Sequence, residues 1–381
     1  MLALCTLKKS HYTFSGGKKR KLSQEPSVMR KKGKYTEQGL FNNKVFENLE
    51  LPKEICDVLK STANMAIAEE TKKKYRTALN NVKRCETDTG ESLNFPWGQR
   101  NTLLFTGWCI KKGLKTQSIK SYLSGVSKLH LALGFDQLDT SSPLLKEIFC
   151  GQDNKFAQGK AKKRKNIRLP CTPKLLRLLK TEIRVSNIPD CDKLMVWTAC
   201  SVTFYGALRP GEALCKYENY YDPTTTLRKK DVKFVKGENG EKDAVHLNVK
   251  NSKTNKSGIP ETIIIYSTDD VTCPVKYCRK LMYLNRNVSN NAPFFTNASG
   301  KPLTIRKFND FLKTLTSDII TNGVISAHSF RIGITSLLAK KGFSNENLKQ
   351  IGRWSSRAYR AYIRLGRTKR HEMAVAMAKN D

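Results

Sequence analysis

The chain has 381 residues, with 69 Lys and Arg against 33 Asp and Glu and a formal net charge of +36. That length predicts two domains plus tails, and a hydrophobic content of 39% supports real cores and excludes wholesale disorder. So large a cationic excess calls for a polyanionic partner, whereas the lack of any run of about 18 apolar residues excludes a membrane-spanning helix.

The opening Met1-Leu2-Ala3-Leu4-Cys5 is too short for a signal-peptide core. Residues 1–50 read as a basic, disordered arm, because 1–34 hold ten Lys or Arg and one acid. Lys18-Lys19-Arg20-Lys21 fits a nuclear localisation cluster and equally a non-specific phosphate-binding tail. The eleven cysteines are odd in number and scattered through apolar stretches, as buried free thiols are, so a reducing compartment is expected. Cys273 and Cys278 have four residues between them and no histidine or second cysteine pair nearby, so no metal and no cofactor is expected.

Residues 51–150 read as a small all-helical domain. Ile119, Tyr122, Val126, Leu129 and Leu133 step by three and four, which puts them on one helical face. Gly113 and Gly134 fit helix C-termini, and Thr116 and Ser118 fit helix starts. Lys72, Lys73, Lys74 and Arg76 give one helix a basic run, which serves as a candidate DNA-binding face or as a simple solvated surface. Residues 151–170 read as a basic linker. Within 155–168 there are seven Lys or Arg and no acid, including Lys162, Lys163, Arg164 and Lys165. That run could cross a DNA backbone or form the second half of a nuclear signal.

From Thr172 helices resume, at Leu175–Ile183 and Leu194–Phe204 and again at about 274–285, 304–318, 326–341, 345–351 and 357–365. The β-branched runs 245–249 and 262–266 flank a polar basic tip that contains Lys253, and they predict a hairpin. Residues 171–366 are therefore expected to form a second domain, mainly α with one small antiparallel sheet. Residues 367–381 make a tail with a short, one-sided apolar helix that packs on itself or docks elsewhere.

Within this second domain a set of side chains suits phosphodiester chemistry. Arg209 follows an apolar helix end and precedes Pro210-Gly211-Glu212; alone, it would be a surface or capping residue. His328 and Arg331 are three apart, so a helix puts them on one face. The helix around them is apolar, and a His–Arg pair buried there needs an anion or acceptors. Trp354 offers a lone indole donor or core packing. Tyr359 and Tyr362 lie one helical turn apart, eight and five residues being their spacings from Trp354 in reverse order. A phenol with a pKa of about 10 needs flanking cations before it can attack phosphorus at neutral pH. Paired guanidiniums bind the charge that develops on the phosphoryl oxygens.

The order Arg209 … His328-Ser-Phe-Arg331 … Trp354 … Tyr362 resembles the tyrosine recombinase (phage integrase) superfamily. The stretch Ile351-Gly-Arg-Trp-Ser-Ser-Arg-Ala-Tyr-Arg-Ala-Tyr362-Ile-Arg looks most like recombinases of eukaryotic Crypton-type or DIRS-type mobile elements. Thr71-Lys-Lys-Lys-Tyr75 and Thr116-Gln-Ser-Ile-Lys-Ser-Tyr-Leu-Ser124 resemble the family's helical core-binding domain. The resemblance implies a core-binding domain followed by an α+β catalytic domain, and a nuclear site-specific recombinase or transposase acting on double-stranded DNA. Arg209 and Arg331 would clamp the phosphate, His328 and Trp354 would add hydrogen bonds, and Tyr362 would attack to give a 3′-phosphotyrosyl link. Lys253, in Ser252-Lys253-Thr254, would protonate the leaving oxygen, with Lys250 and Lys256 as neighbours able to replace it. Neither metal nor ATP would be needed, and the C-terminal segment would dock on a neighbouring protomer to build a homo-tetramer. A type IB topoisomerase-like enzyme and a domesticated DNA-binding protein without cleavage are the alternatives.

Overall fold

The computed structural model describes residues 44–160, 167–250 and 260–364. The chain divides into two compact units, Met1–Gly159 and Lys160–Asp381.

In the first unit a 3-10 turn, Lys44–Leu49, leads into α1 (Lys53–Met65), α2 (Glu69–Thr89), α3 (Gln99–Lys111), α4 (Thr116–Ala132) and α5 (Pro143–Lys160). Gly90 ends α2 in the left-handed region (φ +71°), its N–H donating to the Glu86 carbonyl, an arrangement a Cβ would strain. The apolar face of α4 buries Ile119, Leu123, Val126 and Leu129 against Leu79 and Val82 of α2, Phe105 and Trp108 of α3, and Phe149 of α5. Gly125 lets α2 and α4 come close: a Cβ there would lie 2.9 Å from that of Ala78.

The helix α5 corrects the reading of residues 151–160 as linker, since it runs straight through them. Leu145 and Phe149 bury its first half in the core. Gln152 is buried, and its Nε2 donates to the Leu114 carbonyl at 3.1 Å, so a polar side chain helps dock the continuation of the helix. Residues 161–166, with Lys162, Lys163, Arg164 and Lys165, lie outside the described residues, as do most of the arm and all of the tail beyond residue 364.

The second unit is built around α7 (Asp190–Tyr205), whose Met195, Val196, Ala199, Cys200, Val202 and Phe204 are all buried. Against it pack α6 (Pro173–Val185), α9 (Pro274–Leu284) and α11 (Ala327–Lys340). Thr172 caps α6, its Oγ1 accepting from the Leu175 N–H, and Thr304 caps α10 (Ile305–Thr316) through the Lys307 N–H. The turn-long α8 (Pro210–Ala213) follows α7, and α12 (Asn345–Gly352) and a 3-10 turn, Arg357–Tyr362, close the described chain. Where the spacing predicts an α-helix over 357–365, the tighter 3-10 turn stands instead.

The sheet is antiparallel with order β1 (Val232–Val235), β2 (Ala244–Val249), β3 (Glu261–Tyr266). Val245 lies opposite both Phe234 and Ile265, and Leu247 opposite Val232 and Ile263, so one face of β2 fills the core while its partners shield it. The fold is therefore mainly α with a small antiparallel sheet, as expected. The third strand, β1, is an addition to the hairpin.

Candidate active site

The site starts at the turn between α7 and α8. Ala207 sits at φ +45°, a conformation rare for a residue with a Cβ. That strain turns the Ala207 carbonyl towards two guanidiniums, those of Arg331 and Arg353. Arg209 then caps α8. Its N–H donates to Glu212 Oε2 at 2.7 Å, and its Nη1 donates to Oε1 at 2.6 Å. The sequence Arg-Pro-Gly-Glu thus folds back on itself, fixing the guanidinium three residues from the carboxylate it grips.

Arg331 and His328 come from the first turns of α11. Arg331 has no exposed surface. Its Nη1 donates to the Ala207 carbonyl and its Nη2 to that of Gly352, and its guanidinium lies 4.3 Å from the centre of the Trp354 ring. Among the described residues its Nε–H is buried without an acceptor, an orphan donor of the kind an incoming anion satisfies. Burial, with repulsion from Arg209 and Arg353, lowers its pKa to about 9, which leaves it charged at neutral pH.

The segment 352–362 completes the cluster. Gly352 makes room for the Trp354 ring, which folds back over it: a Cβ would fall 1.7 Å from that ring and force it to move. The Trp354 ring centre is 5.0 Å from that of Tyr362 and 6.3 Å from that of Tyr359. Tyr362 is half-buried and its Oη is 3.0 Å from His328 Nε2, whereas Tyr359 is buried among Leu348 and Trp354. Ser336 of α11 clamps the tyrosine-bearing turn, its Oγ donating to the Tyr362 carbonyl at 2.9 Å and accepting from the Arg364 N–H at 3.0 Å.

Burial and the charges of Arg168, Arg331 and Arg209 push His328 down to about 4, against an opposing pull from Glu212. At neutral pH it is an uncharged imidazole able to accept the phenol proton. Burial alone would raise the Glu212 carboxyl, but Arg353 and the bonds from Arg209 hold it below its ordinary range, so it stays ionised.

Arg209, His328, Arg331, Trp354 and Tyr362 therefore meet in one cluster. Lys253 falls in 251–259, outside the described residues. Lys250 is held elsewhere: its Nζ is 2.7 Å from Asp231 Oδ2 and donates to the Pro223 carbonyl. Lys72, Lys73, Lys74 and Arg76 lie on the first turns of α2, where Lys72 pairs with Glu69 at 2.6 Å and Lys73 with Glu70 at 3.5 Å.

Two arginines of the cluster escape the sequence reading. Arg353 adopts φ +51°, and its Nη2 binds Glu212 Oε2 at 2.7 Å while its Nη1 donates to the Gly206 carbonyl at 3.1 Å. Its own carbonyl accepts from Arg209 Nη2 at 3.3 Å. Arg353 thereby ties the Trp354 segment to the Arg209 turn through one shared carboxylate. The signal available was its place between Gly352 and Trp354. Arg168, assigned to the linker, instead belongs to the second unit.

No protein-family model matches the sequence, and no curated protein matches it. Solved structures do. The XerH site-specific recombinase bound to palindromic difH substrate, in a post-cleavage complex, aligns with TM-score 0.56 at 13% identity over 93% of this chain and 92% of that one. The Tn1549 transposon integrase in complex with transposon right end DNA gives 0.52 at 13% identity over 88% and 99%. A lambda integrase dimer bound to a COC′ core site gives 0.50 at 18% identity over 81% and 93%. On that likeness, and on its own helices and sheet, the chain has the tyrosine recombinase fold.

Proposed function

We propose that this chain is a site-specific DNA recombinase that cleaves and rejoins double-stranded DNA through Tyr362, as the notable clustering of its side chains supports. The contact that carries the reading is Tyr362 Oη at 3.0 Å from His328 Nε2, beside a buried Arg331 with an unsatisfied donor. Arg209 and Arg331 bind the non-bridging oxygens of the scissile phosphate. The phenol proton passes to neutral His328 as Oη attacks phosphorus. The P–O5′ bond breaks, and the departing oxygen takes a proton from Lys253. A 3′-phosphotyrosyl link and a free 5′ hydroxyl result. The indole N–H of Trp354 donates to the phosphate as charge builds.

Because the phosphodiester energy stays in the tyrosyl link, the step consumes no ATP, and a 5′ hydroxyl from another strand reverses it into strand exchange. The XerH, Tn1549 and lambda proteins were seen on DNA, which supports the same partner here, as does the charge of +36. The stretch Ile351–Arg364, with Trp354 eight residues before Tyr362, supports an origin in a eukaryotic mobile element. The basic clusters at 18–21 and 162–165 support nuclear import. A tetramer on DNA, joined through residues 367–381, completes the proposal.

The test incubates purified protein in EDTA with nicked suicide duplexes drawn from DNA flanking the gene, read as covalent adducts on denaturing gels. An adduct retained in Tyr359→Phe and lost in Tyr362→Phe is expected. Tight binding of the same DNA without any adduct would leave a non-cleaving binder, and adduct with relaxation of any supercoiled DNA but no exchange between paired sites would leave a topoisomerase.

A further inference from the structure

Residues 167–171 enter the second unit as an extended strip laid along the approach to α11. The Leu169 N–H donates to the Val324 carbonyl at 3.0 Å, and the Val324 N–H donates to the Ile167 carbonyl at 2.9 Å. These bonds make a parallel bridge between Arg168 and Val324. Further on, the Cys171 N–H donates to the Ser329 carbonyl at 2.9 Å, one residue past His328. Two glycines permit so close an approach. A Cβ on Gly323 would lie 2.6 Å from the Ile167 carbonyl oxygen, and one on Gly333 would lie 1.8 Å from that of Cys171.

Such a strip leaves its side chains little choice of direction. Leu169 packs on the core, so its neighbour Arg168 points the other way, and it is exposed. Arg209 and Arg353 both pair with Glu212, but among the described residues no carboxylate pairs with Arg168. Of the charges that act on His328, that of Arg168 is the largest, ahead of Arg331 and Arg209. Arg168 thus adds an exposed guanidinium, unpaired among the described residues, to the charges of Arg331 and Arg209 that act on His328.

We infer that Arg168 is a DNA-binding residue of this same site, contacting the backbone phosphate beside the one that Arg209 and Arg331 hold. The inference rests on the reading of the cluster as a DNA phosphate site, but not on the cleavage step. Geometry explains the placement: the bridge to Val324 and the Cys171–Ser329 bond tie residues 167–171 to the approach and first turn of the helix that carries His328 and Arg331. A phosphate bound by Arg168 would pull this strip and α11 onto one strand of the duplex.

Two measurements on the full-length Tyr362→Phe protein test it, so that chemistry plays no part. The first follows duplex DNA affinity against salt with and without Arg168→Gln. Loss of one phosphate contact lowers the slope of log K against log salt by about one, and Arg168→Lys keeps the slope. The second follows the His328 imidazole by NMR, assigned by its loss in His328→Gln. The groups facing it are Arg168, Arg331, Arg209, Glu212 and the Tyr362 hydroxyl. Arg168→Gln raises the His328 midpoint and Arg168→Lys leaves it low. Either an unchanged slope or an unmoved midpoint overturns the inference. If both move while the unmodified chain never forms an adduct, Arg168 stands and the cleavage reading fails.

Discussion

Each unit holds a histidine that burial drives towards its neutral form, and the two are used differently. In the first unit His130 accepts the Trp97 N–H at Nε2 (3.0 Å), while its Nδ1 meets the Asp136 carbonyl at 3.2 Å. Its ring lies edge-on to Phe95 and Phe135 at 5.0 and 6.0 Å. Burial lowers its pKa and the Asp136 bond pulls it back, with no charged group involved. Both ring nitrogens are committed to the backbone. His328 is lowered by burial too, but also by three arginines, and one ring nitrogen reaches a phenol instead. Burial therefore does not identify a site; a gathering of like charges around a titratable pair does. Concavity misleads here as well: one of about 480 Å³ is lined by Trp97, His130 and Asp136, in the unit without the tyrosine.

The sharpest way to break this comparison is to remove each ring in turn. His328→Ala is expected to lower the rate of adduct formation by about 10²–10⁴-fold, the usual contribution of a positioned base, with little change in the urea midpoint. His130→Ala should do the reverse. It orphans the Trp97 N–H and opens a cavity, costing about 2–4 kcal/mol, while the folded fraction forms adduct at the normal rate. Equal loss of adduct in both variants would erase the distinction drawn between them.

Next in size is the carboxylate that binds the cationic side of the comparison together. Glu212→Gln leaves Arg209 and Arg353 partly buried without their counter-charge, at an expected cost of about 3 kcal/mol in urea unfolding. Adduct formation should fall with it, since Arg209 loses its orientation. Gly352→Ala should cost less, about 1–3 kcal/mol for overpacking against Trp354, yet displace the indole from Arg331. A Gly352→Ala protein with unchanged stability would mean that the Trp354 ring does not need to lie over that glycine.

Much of this arrangement was legible because periodicity and order survive in sequence. The α4 face follows steps of three and four, and the arginine, histidine and tyrosine stand in a sequence order that a shared fold can close. What escaped was set by backbone bonds that composition does not encode. The strand β1 has four residues, Val-Lys-Phe-Val, and exists because β2 supplies its partners. Residues 151–160 are mostly polar, yet they continue a helix that Leu145 and Phe149 anchor, and Gln152 adds a bond to the Leu114 carbonyl. Arg353 reads as one basic residue among many, since its value comes from a left-handed backbone that turns it onto Glu212. Arg168 reads as linker until Gly323 and Gly333 admit the strip that carries it.

The smallest effect concerns pH, and its sign follows from the direction of the shift. A basic group whose folded pKa lies below its unfolded value binds more protons when unfolded, so it withdraws stability as pH falls. For His328 that loss begins near its ordinary value of 6.5 and continues to about 4. For a ring still partly open to solvent it amounts to about 1 kcal/mol after screening. Glu212, held below its ordinary 4.5, adds a further loss as pH falls beneath that value. His130 contributes in the same upper window, so unfolding curves of His328→Gln and the unaltered protein must be subtracted to isolate His328. The unaltered-minus-variant difference should be flat above pH 6.5 and should fall below it. Binding DNA to Tyr362→Phe protein should shrink that fall, because a phosphate among the arginines offsets the charge that keeps His328 neutral. An unshrunken fall with DNA bound would place the phosphate away from His328, and with it the base away from the phosphorus that Tyr362 is meant to attack.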